Sequence, residues 1–298
     1  MGNNSAFRFG FIADRIIILI AYIIAIVVAL GFTPIAYSGE NEIVRFAIGD
    51  FIATIVIFFF SLVFKNSSVY DPYWSVAPPV MALILFIKRG SPFQNLSFVL
   101  ALIVVFYWSI RLTRNWLRTW PGLYHQDWRY TMLAHNTEKF YWLVSFLGIH
   151  LFPTIAVFVA FIPIFTIAGF NNTHYVSVIP GFVISLVAVE IERIADIQLH
   201  RFKAEQNFTK ETVCISGLWK YSRHPNYFGE ILFWAGLFVM ALGIYPSGFY
   251  VYGIGLVVMI LLFVFISIPM MEKRQLSKPG YSEYRQRVSM LIPWFVKK

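Results

Sequence analysis

Long apolar runs alternate with short polar connections along the whole chain. Several runs contain about 18 or more residues, which is the length of a helix that crosses the hydrocarbon core of a bilayer. The alternation predicts eight transmembrane helices, roughly at residues 11–32, 47–64, 74–87, 96–113, 140–169, 176–199, 226–243 and 248–270. Because lipid cannot satisfy the hydrogen-bonding groups of an irregular backbone, we expect an all-α integral membrane protein, a polytopic bundle of seven or eight transmembrane helices.

The distribution of charge predicts how these helices cross the membrane. The chain is 58% hydrophobic and carries a net charge of +9. When the connections are numbered alternately, 21 basic residues fall on one side and three, Arg45, Lys88 and Arg89, on the other. Basic residues accumulate on the cytosolic side, so we expect both termini in the cytosol, in the endoplasmic reticulum or a bacterial inner membrane. The positive charge is therefore a topology signal, and no nucleic-acid partner is expected.

Several common kinds of site are absent from the sequence. The single cysteine, Cys214, excludes a disulfide framework and a cysteine-based metal site. The six histidines lack ligand spacing, so we expect no metal, and His150 is expected to be a hydrogen-bonded core residue. No Gly-x-Gly-x-x-Gly string follows a strand pattern, which excludes a Rossmann cofactor site. We expect a single membrane domain over residues 1–298, with N-terminal helices over 1–65 and a core over 66–298.

The stretch Gly217–Glu230 reads GLWKYSRHPNYFGE and leads directly into an apolar run. Pro225 suits the first position of a helix, where its missing N–H costs nothing. Arg223 and His224 then stand at a helix N-terminus, which is a natural seat for phosphates or another anion. The alternative is a basic anchor at the membrane edge.

One face of the helix that follows carries polar groups. Asn226 and Glu230 are four residues apart and share that face, with Tyr227 beside them. A carboxylate one turn inside an apolar segment is costly and needs a partner. This pair favours a binding site over a simple anchor.

Two other predicted helices carry charges at helical spacing. Arg111, Arg114 and Arg118 share one face of the fourth span, which suits a polyphosphate or, alternatively, an interfacial helix end. Glu192 and Asp196 share one face of the sixth span. Acidic groups inside a membrane helix indicate either a site or an internal network of ion pairs.

The segment at residues 66–79, which reads NSSVYDPYWSVAPP, interrupts an apolar region. Broken helices at membrane depth usually line a cavity, so Asp71 and Tyr73 are candidates for a pocket wall. The alternative is a turn with an Asp-Pro stop. Asp50, in contrast, is expected to be a carboxylate at a helix start, favoured by the helix dipole.

Three strings resemble a known family. SRHPNYFGE at residues 222–230 resembles the C-terminal signature of the membrane steroid 5-alpha-reductase family. The strings YDPYWS at 70–75 and DWRY at 127–130 look like segments of its branch with a domain of unknown function, the DUF1295 type. Close variants of the first string occur in sterol C14 and C7 reductases and in isoprenylcysteine carboxyl methyltransferases.

The resemblance implies a reductase of the 3-oxo-5-alpha-steroid 4-dehydrogenase type, which uses NADPH on a carbonyl-conjugated C=C bond in a lipid. The family's Gln-Glu pair for the substrate carbonyl is missing here, and the implied carbonyl donors are Tyr107 or Tyr73, with Asp71 tuning the donor. The implied cofactor-binding half covers about residues 185–298. The candidate cofactor contacts are Arg111, Asp196, Arg201, Lys203, Arg223, His224, Asn226, Tyr227, Glu230, Tyr284 and Arg287.

Two other functions stay open at this point. A methyltransferase of the isoprenylcysteine type would use S-adenosylmethionine, and a non-catalytic homologue would only bind lipid. The expected partners are membrane lipid and a lipid-soluble substrate, for which a 3-oxo steroid, a polyprenal and a fatty enoyl compound all fit. A monomer is expected.

Overall fold

The structure is a computed structural model in which residues 10–89, 92–170, 175–205 and 213–297 are described. Arg8, Lys210 and Lys298, three of the basic residues in the topology count, lie outside these ranges. The described residues form α-helices joined by short 3-10 turns, with one isolated bridge between Ser222 and Ser289 and no strand. The predicted all-α class is confirmed.

These ranges contain twelve α-helices and two π-helical segments. The α-helices are α1 (Phe11–Ala36), α2 (Glu42–Val63), α3 (Tyr73–Lys88), α4 (Leu96–Thr119), α5 (Trp128–Thr137), α6 (Tyr141–Val144), α7 (Phe152–Gly169), α8 (Ile179–Glu205), α9 (Pro225–Ile244), α10 (Phe249–Leu261), α11 (Ile268–Gln275) and α12 (Tyr281–Arg287). The π-helical segments are Ser145–Leu151 and Leu262–Ser267. The first of them ends two residues before Pro153.

Seven helical segments among the described residues are long and apolar enough to cross a membrane. They are Phe11–Ala36, Glu42–Val63, Leu96–Thr119, Trp128–Gly169, Tyr175–Glu205, Pro225–Ile244 and Pro246–Gln275. These segments support a multi-pass membrane protein. The one remaining predicted span, 74–87, also forms a helix, but α3 has only 16 residues, short of the roughly 20 that a crossing needs.

Helix α2 begins earlier than predicted, and this changes the position of Asp50. Asn41 caps the helix, because its side-chain oxygen accepts a hydrogen bond from the Val44 N–H at 3.1 Å. The helix therefore starts at Glu42, and Asp50 lies more than two turns inside it, buried. The prediction that Asp50 is a helix-start carboxylate is wrong.

The described residues divide into two compact units, each discontinuous in sequence. The first unit comprises residues 1–88 and 112–158, and the second comprises 89–111 and 159–298. Helix α4 contributes its residues up to Arg111 to the second unit and those from Leu112 to the first. The chain was expected to form a single domain, and that expectation stays a prediction.

The first unit has a core of apolar side chains from α1 and α2 together with Val69, Tyr70 and Tyr73. His150 is fully buried, with Nε2 bonded to the Ser61 hydroxyl and Nδ1 bonded to the Ser145 carbonyl, both at 2.9 Å. The prediction of a hydrogen-bonded core histidine is confirmed.

The second unit depends on a close approach of α8 and α9. A Cβ added at Gly236 would lie 2.7 Å from the Ser185 backbone nitrogen and 2.8 Å from the Gly181 carbonyl oxygen. Gly229 lies seven residues, about two turns, earlier on α9, and a Cβ added there would lie 2.8 Å from the Ala188 carbonyl oxygen and 3.2 Å from the Glu192 backbone nitrogen. Small residues let membrane helices pack backbone to backbone. This packing places the polar side chains of α8 beside those of α9.

Candidate functional site

Arg111 of α4 lies between two carboxylates of α8 in the second unit. Its Nη2 is 2.6 Å from the Asp196 Oδ2, and its Nη1 pairs with Glu192. The side-chain exposures are 8% for Arg111, 1% for Glu192 and 12% for Asp196, so the cluster is almost dry. Glu192 and Asp196, four residues apart on α8, therefore both bind the guanidinium of one arginine on another helix. Arg114 and Arg118, predicted on the same face, are exposed.

Glu230 of α9 is buried and bound by two indoles. Its Oε2 accepts from the Trp108 Nε1 at 3.0 Å, and its Oε1 accepts from the Trp234 Nε1 at 2.9 Å. The Trp108 ring stacks on Phe233 with ring centroids 4.9 Å apart. These two N–H donors compensate the cost of burying the carboxylate. They are the partners that the sequence predicted a carboxylate inside an apolar helix would need.

Arg223 ties the start of α9 to the C-terminal part of the chain. Its Nε is 2.6 Å from the Glu272 Oε1, and its Nη1 donates to the carbonyls of Arg285 and Val288 at 2.7 and 2.6 Å. His224 Nε2 lies 3.5 Å from the same Glu272 oxygen. At the predicted anion-binding position before Pro225, Arg223 and His224 thus both face the carboxylate of Glu272, a residue of the chain itself.

The C-terminal residues extend this arrangement. Tyr284 is buried and donates to the Trp219 carbonyl at 2.5 Å, and burial raises the pKa of its hydroxyl, so the proton is retained. Arg287 is exposed, and its backbone carbonyl accepts from the Lys297 N–H at 2.9 Å. Tyr284 therefore holds the C-terminal segment against the stretch before α9, and Arg287 holds the end of the chain against α12.

In the part that the structure describes, the second unit also contains a buried hydrogen-bond acceptor without a partner and a group of cations. The Asn226 Oδ1 is buried without a hydrogen-bond partner among the described residues, and Tyr227 stacks on His224 with ring centroids 5.3 Å apart. Burial and the positive charges of Lys203 and Arg274 lower the pKa of Lys278, which shows that these three cations lie close together. Arg201 is exposed.

In the first unit, Tyr73 and Asp50 form a buried pair. The Tyr73 hydroxyl donates to the Asp50 Oδ1 at 2.6 Å, and no ion pair joins Asp50 to a cation among the described residues. Both side chains line a cavity of about 250 Å³ between α1, α2 and α3. Its other lining residues are mostly apolar, and they include Ile26, Leu30, Val76, Val80 and Ile84. A hydroxyl and a carboxyl thus face a largely apolar space.

The other two candidates for the carbonyl lie elsewhere. Asp71 accepts from the Tyr130 hydroxyl at 2.6 Å and is not part of the lining of this cavity. Burial raises the pKa of Asp71 to about 6, although Arg129 acts in the opposite direction. Tyr107 belongs to the second unit, is partly exposed, and donates to Glu190. Of the three, only Tyr73 lines the described cavity.

Two residues that the sequence did not single out as site residues are central here. Asp50 was assigned to a helix start, and Glu272 is not among the candidate residues named from the sequence. No group of three or more His, Cys, Asp or Glu side chains among the described residues is arranged to hold a metal ion. A stronger N-cap argument from Asn41 could have placed Asp50 inside its helix, but nothing in the sequence identifies Tyr73 as its partner.

Comparisons with known proteins cover most of the chain. The model of the family described as "Protein of unknown function (DUF1295)" matches residues 57–288. The chain is also similar to the Uncharacterized protein C594.04c of Schizosaccharomyces pombe, with 24% identity over 227 residues. The aligned region covers 68% of this chain and 65% of that protein, slightly less than two thirds of the relative's length. No solved structure matches the chain significantly.

Proposed function

The chain belongs to the DUF1295 family, and on that premise we propose that it is a membrane-embedded reductase that uses NADPH to saturate a carbonyl-conjugated C=C bond in a lipid. The observation that carries the proposal is the Tyr73–Asp50 pair on the wall of an apolar cavity. An apolar cavity with a few convergent polar groups is the usual form of a site for a small lipophilic molecule.

Tyr73 and Asp50 would act on the carbonyl of the substrate. During reduction, negative charge develops on the carbonyl oxygen, and a hydrogen-bond donor placed there lowers the barrier most when water is excluded. A protonated carboxyl and a phenol together carry two O–H groups. One of these O–H groups forms the 2.6 Å hydrogen bond between the two side chains, and the other can donate to the substrate carbonyl. The apolar lining supplies the dry surroundings. This pair takes the place of the Gln-Glu pair that the resembling family uses and that this chain lacks.

The residues of the second unit fit a dinucleotide in two respects. The buried Asn226 Oδ1 without a partner can accept from a carboxamide N–H, and the cations Lys203, Arg274 and Lys278 suit phosphate groups. When bound, NADPH would supply the hydride. Arg111, Arg223, Tyr284 and Arg287 have internal contacts, so we assign the first three to holding the cofactor-binding residues in position.

Substitution of Tyr73 tests the proposal most directly. The purified protein in liposomes is given NADPH and one of three substrates, a 4-ene-3-oxo steroid, a polyprenal or a 2-enoyl lipid, and the product is examined by mass spectrometry. We expect a gain of two hydrogens, and we expect Tyr73→Phe to lower kcat by about 10²–10³-fold while NADPH affinity stays unchanged, because one donor to the developing oxyanion is lost.

Tyr70→Phe is the matched control. Tyr70 is a neighbouring buried tyrosine whose hydroxyl bonds to Thr154 and which is not part of the cavity lining. The kcat of Tyr70→Phe should therefore stay close to that of the wild type. Equal rates for Tyr73→Phe and the wild type would contradict the proposal. Binding of S-adenosylmethionine with methyl gain in the product would instead identify a methyltransferase, and binding of lipid without turnover would identify a non-catalytic homologue.

The proposal includes an orientation in the membrane. Both termini in the cytosol require an even number of crossings, so the 16-residue helix α3 would have to serve as the eighth. The 3-10 turn Ser67–Tyr70 immediately before it adds length at that end. We propose this arrangement, in the endoplasmic reticulum or a bacterial inner membrane, on the strength of the uneven distribution of basic residues.

A further inference from the structure

The cavity of the first unit has a cation on the same helix as Asp50. Arg45 and Asp50 both line the cavity and are five residues apart on α2. At a rise of 1.5 Å per residue, their Cα atoms are separated by roughly 7.5 Å along the helix axis. Lys88, the last residue of α3, also lines the cavity and lies near Arg45, because it pairs with Glu42, which is three residues before Arg45 on α2. The cavity thus has a hydrogen-bonding pair at one position and cations at another.

The charge at this end is not balanced. The Arg45 Nη2 donates to the Gly39 carbonyl at 2.8 Å, but its Nε is buried without a hydrogen-bond partner, and Arg45 has no ion pair among the described residues. Lys88 is paired with Glu42 at 2.9 Å. Two cations and one carboxylate leave a surplus of one positive charge. A buried donor without a partner costs free energy, which an anionic ligand would recover.

The size of the cavity limits the shape of the ligand. Its volume of about 250 Å³ is slightly below the range of roughly 300–1,000 Å³ typical of small-molecule sites. Helices α1, α2 and α3 all line it, and the aliphatic side chains come mainly from α1 and α3. This space suits a slim hydrocarbon chain better than a fused ring system.

We propose that this cavity takes a single-chain amphiphile that carries one anionic group, with the anion at Arg45 and the chain passing the Tyr73–Asp50 pair. The inference deepens the proposed function and rests on it in taking this cavity as the substrate site. It selects the fatty type among the three substrate types considered above. The anion is a carboxylate or a phosphate, carried either by a free single-chain amphiphile or by a phospholipid of the surrounding bilayer that inserts one of its two chains.

Binding measurements without any cofactor test the inference. The full-length protein is placed in phosphatidylcholine nanodiscs, and the binding of radiolabelled dodecanoate and dodecanol is measured, with empty nanodiscs correcting for partition into lipid. We expect Arg45→Gln to weaken dodecanoate binding by about tenfold and to leave dodecanol binding unchanged, because only the carboxylate uses the guanidinium. Arg45→Lys, which keeps the charge, should retain most of the affinity.

Arg89→Gln is the matched control, since Arg89 is an exposed cation adjacent to Lys88 that is not part of the cavity lining. It should bind both probes as the wild type does. Equal dodecanoate binding by the wild type and Arg45→Gln, or an equal loss in Arg89→Gln, would overturn the inference. If Arg45→Gln does not fold, Lys88→Gln decides, because it also removes the surplus charge and should weaken dodecanoate binding, whereas unchanged binding would overturn the inference.

A second lipid composition distinguishes the sources of the anion. Phosphatidylglycerol added to the nanodiscs should compete with dodecanoate in the wild type, and not in Arg45→Gln, if the site holds a phospholipid headgroup. An absence of competition assigns the site to a free amphiphile. Because no step uses NADPH, a failure of binding leaves the reductase proposal standing, and that proposal is judged separately by turnover of the Tyr73 variants.

Discussion

In the first unit, several buried polar side chains are paired through hydroxyl groups, whereas in the second unit the buried arginines are paired with carboxylates. Thr154 bonds to Thr54 at 3.0 Å and to Tyr70 at 2.9 Å in the first unit. In the second unit, Arg111 lies between Glu192 and Asp196, and Arg223 meets Glu272. Both solutions satisfy the same requirement, because an unpaired polar group is costly inside apolar helices.

The difference matters because the two kinds of pairing respond differently to substitution. Removing one member of a buried ion pair leaves an uncompensated charge, whereas removing one hydroxyl leaves a neutral group unsatisfied. The first unit can therefore keep an open apolar cavity beside its polar groups. The second unit is expected to be the more rigid part around its ion pairs, which would suit the cofactor-binding role proposed for it.

The largest effect should come from Arg111→Gln. This change leaves Glu192 and Asp196, both nearly buried, without their cation, and we expect it to lower the free energy of unfolding by about 3–5 kcal/mol. Thermal unfolding in detergent, followed by intrinsic fluorescence, would show it as a large fall in Tm. Arg114→Gln, an exposed cation one turn further along α4, should stay within about 0.5 kcal/mol of the wild type. Similar Tm values for the two variants would contradict the claim that buried ion pairs stabilise the second unit.

A smaller effect is expected from Thr154→Val in the first unit. The substitution keeps the side-chain shape but removes a hydroxyl shared by two others, so the cost should be about 1–3 kcal/mol. The same unfolding measurement applies, with Thr119→Val as the control, since Thr119 is exposed on α4. A loss as large as that of Arg111→Gln would show that hydroxyl pairing is no gentler than ion pairing.

The smallest effect concerns the pH dependence of the first unit. The pKa of Asp71 is raised from 3.8 to about 6, so the folded chain holds a proton that the unfolded chain has already released between these values. Its contribution to stability is therefore fully present below pH 3.8 and is lost as the pH rises through about 6. Tm measured from pH 4 to pH 7 should fall more steeply in the wild type than in Asp71→Asn. Parallel curves would show that Asp71 titrates normally.

Much of the candidate site could be predicted within single helices and little of it across them. The spacing of Glu192 and Asp196 predicted a shared face, and Pro225 predicted where α9 begins. The partners come from elsewhere in the chain, since Arg111 is 85 residues from Asp196 and Trp108 is 122 residues from Glu230. Periodicity records which side of a helix is polar, but it carries no information about which other helix faces that side.

Residues at the helix ends show the same limit. Asp14 and Arg15 look like ordinary charges at a membrane edge, yet Asp14 is 1% exposed and accepts from the Leu123 N–H at 3.1 Å. Arg15 donates to the carbonyls of Leu117 and Trp120 at 2.9 and 2.8 Å. These two side chains hold the connection after α4 to α1, which is a role that depends on a loop more than 100 residues away.

The sequence by itself determined the all-α class, the apolar segments and the polar faces, because segment length and helical spacing are local properties that the bilayer enforces on each helix separately. The tertiary structure alone decided that Asp50 meets Tyr73 in a cavity, that Arg111 is divided between two acids, and that Arg45 keeps an unpaired donor. These outcomes depend on which helices pack together, and packing follows from the shapes of side chains that are distant in sequence.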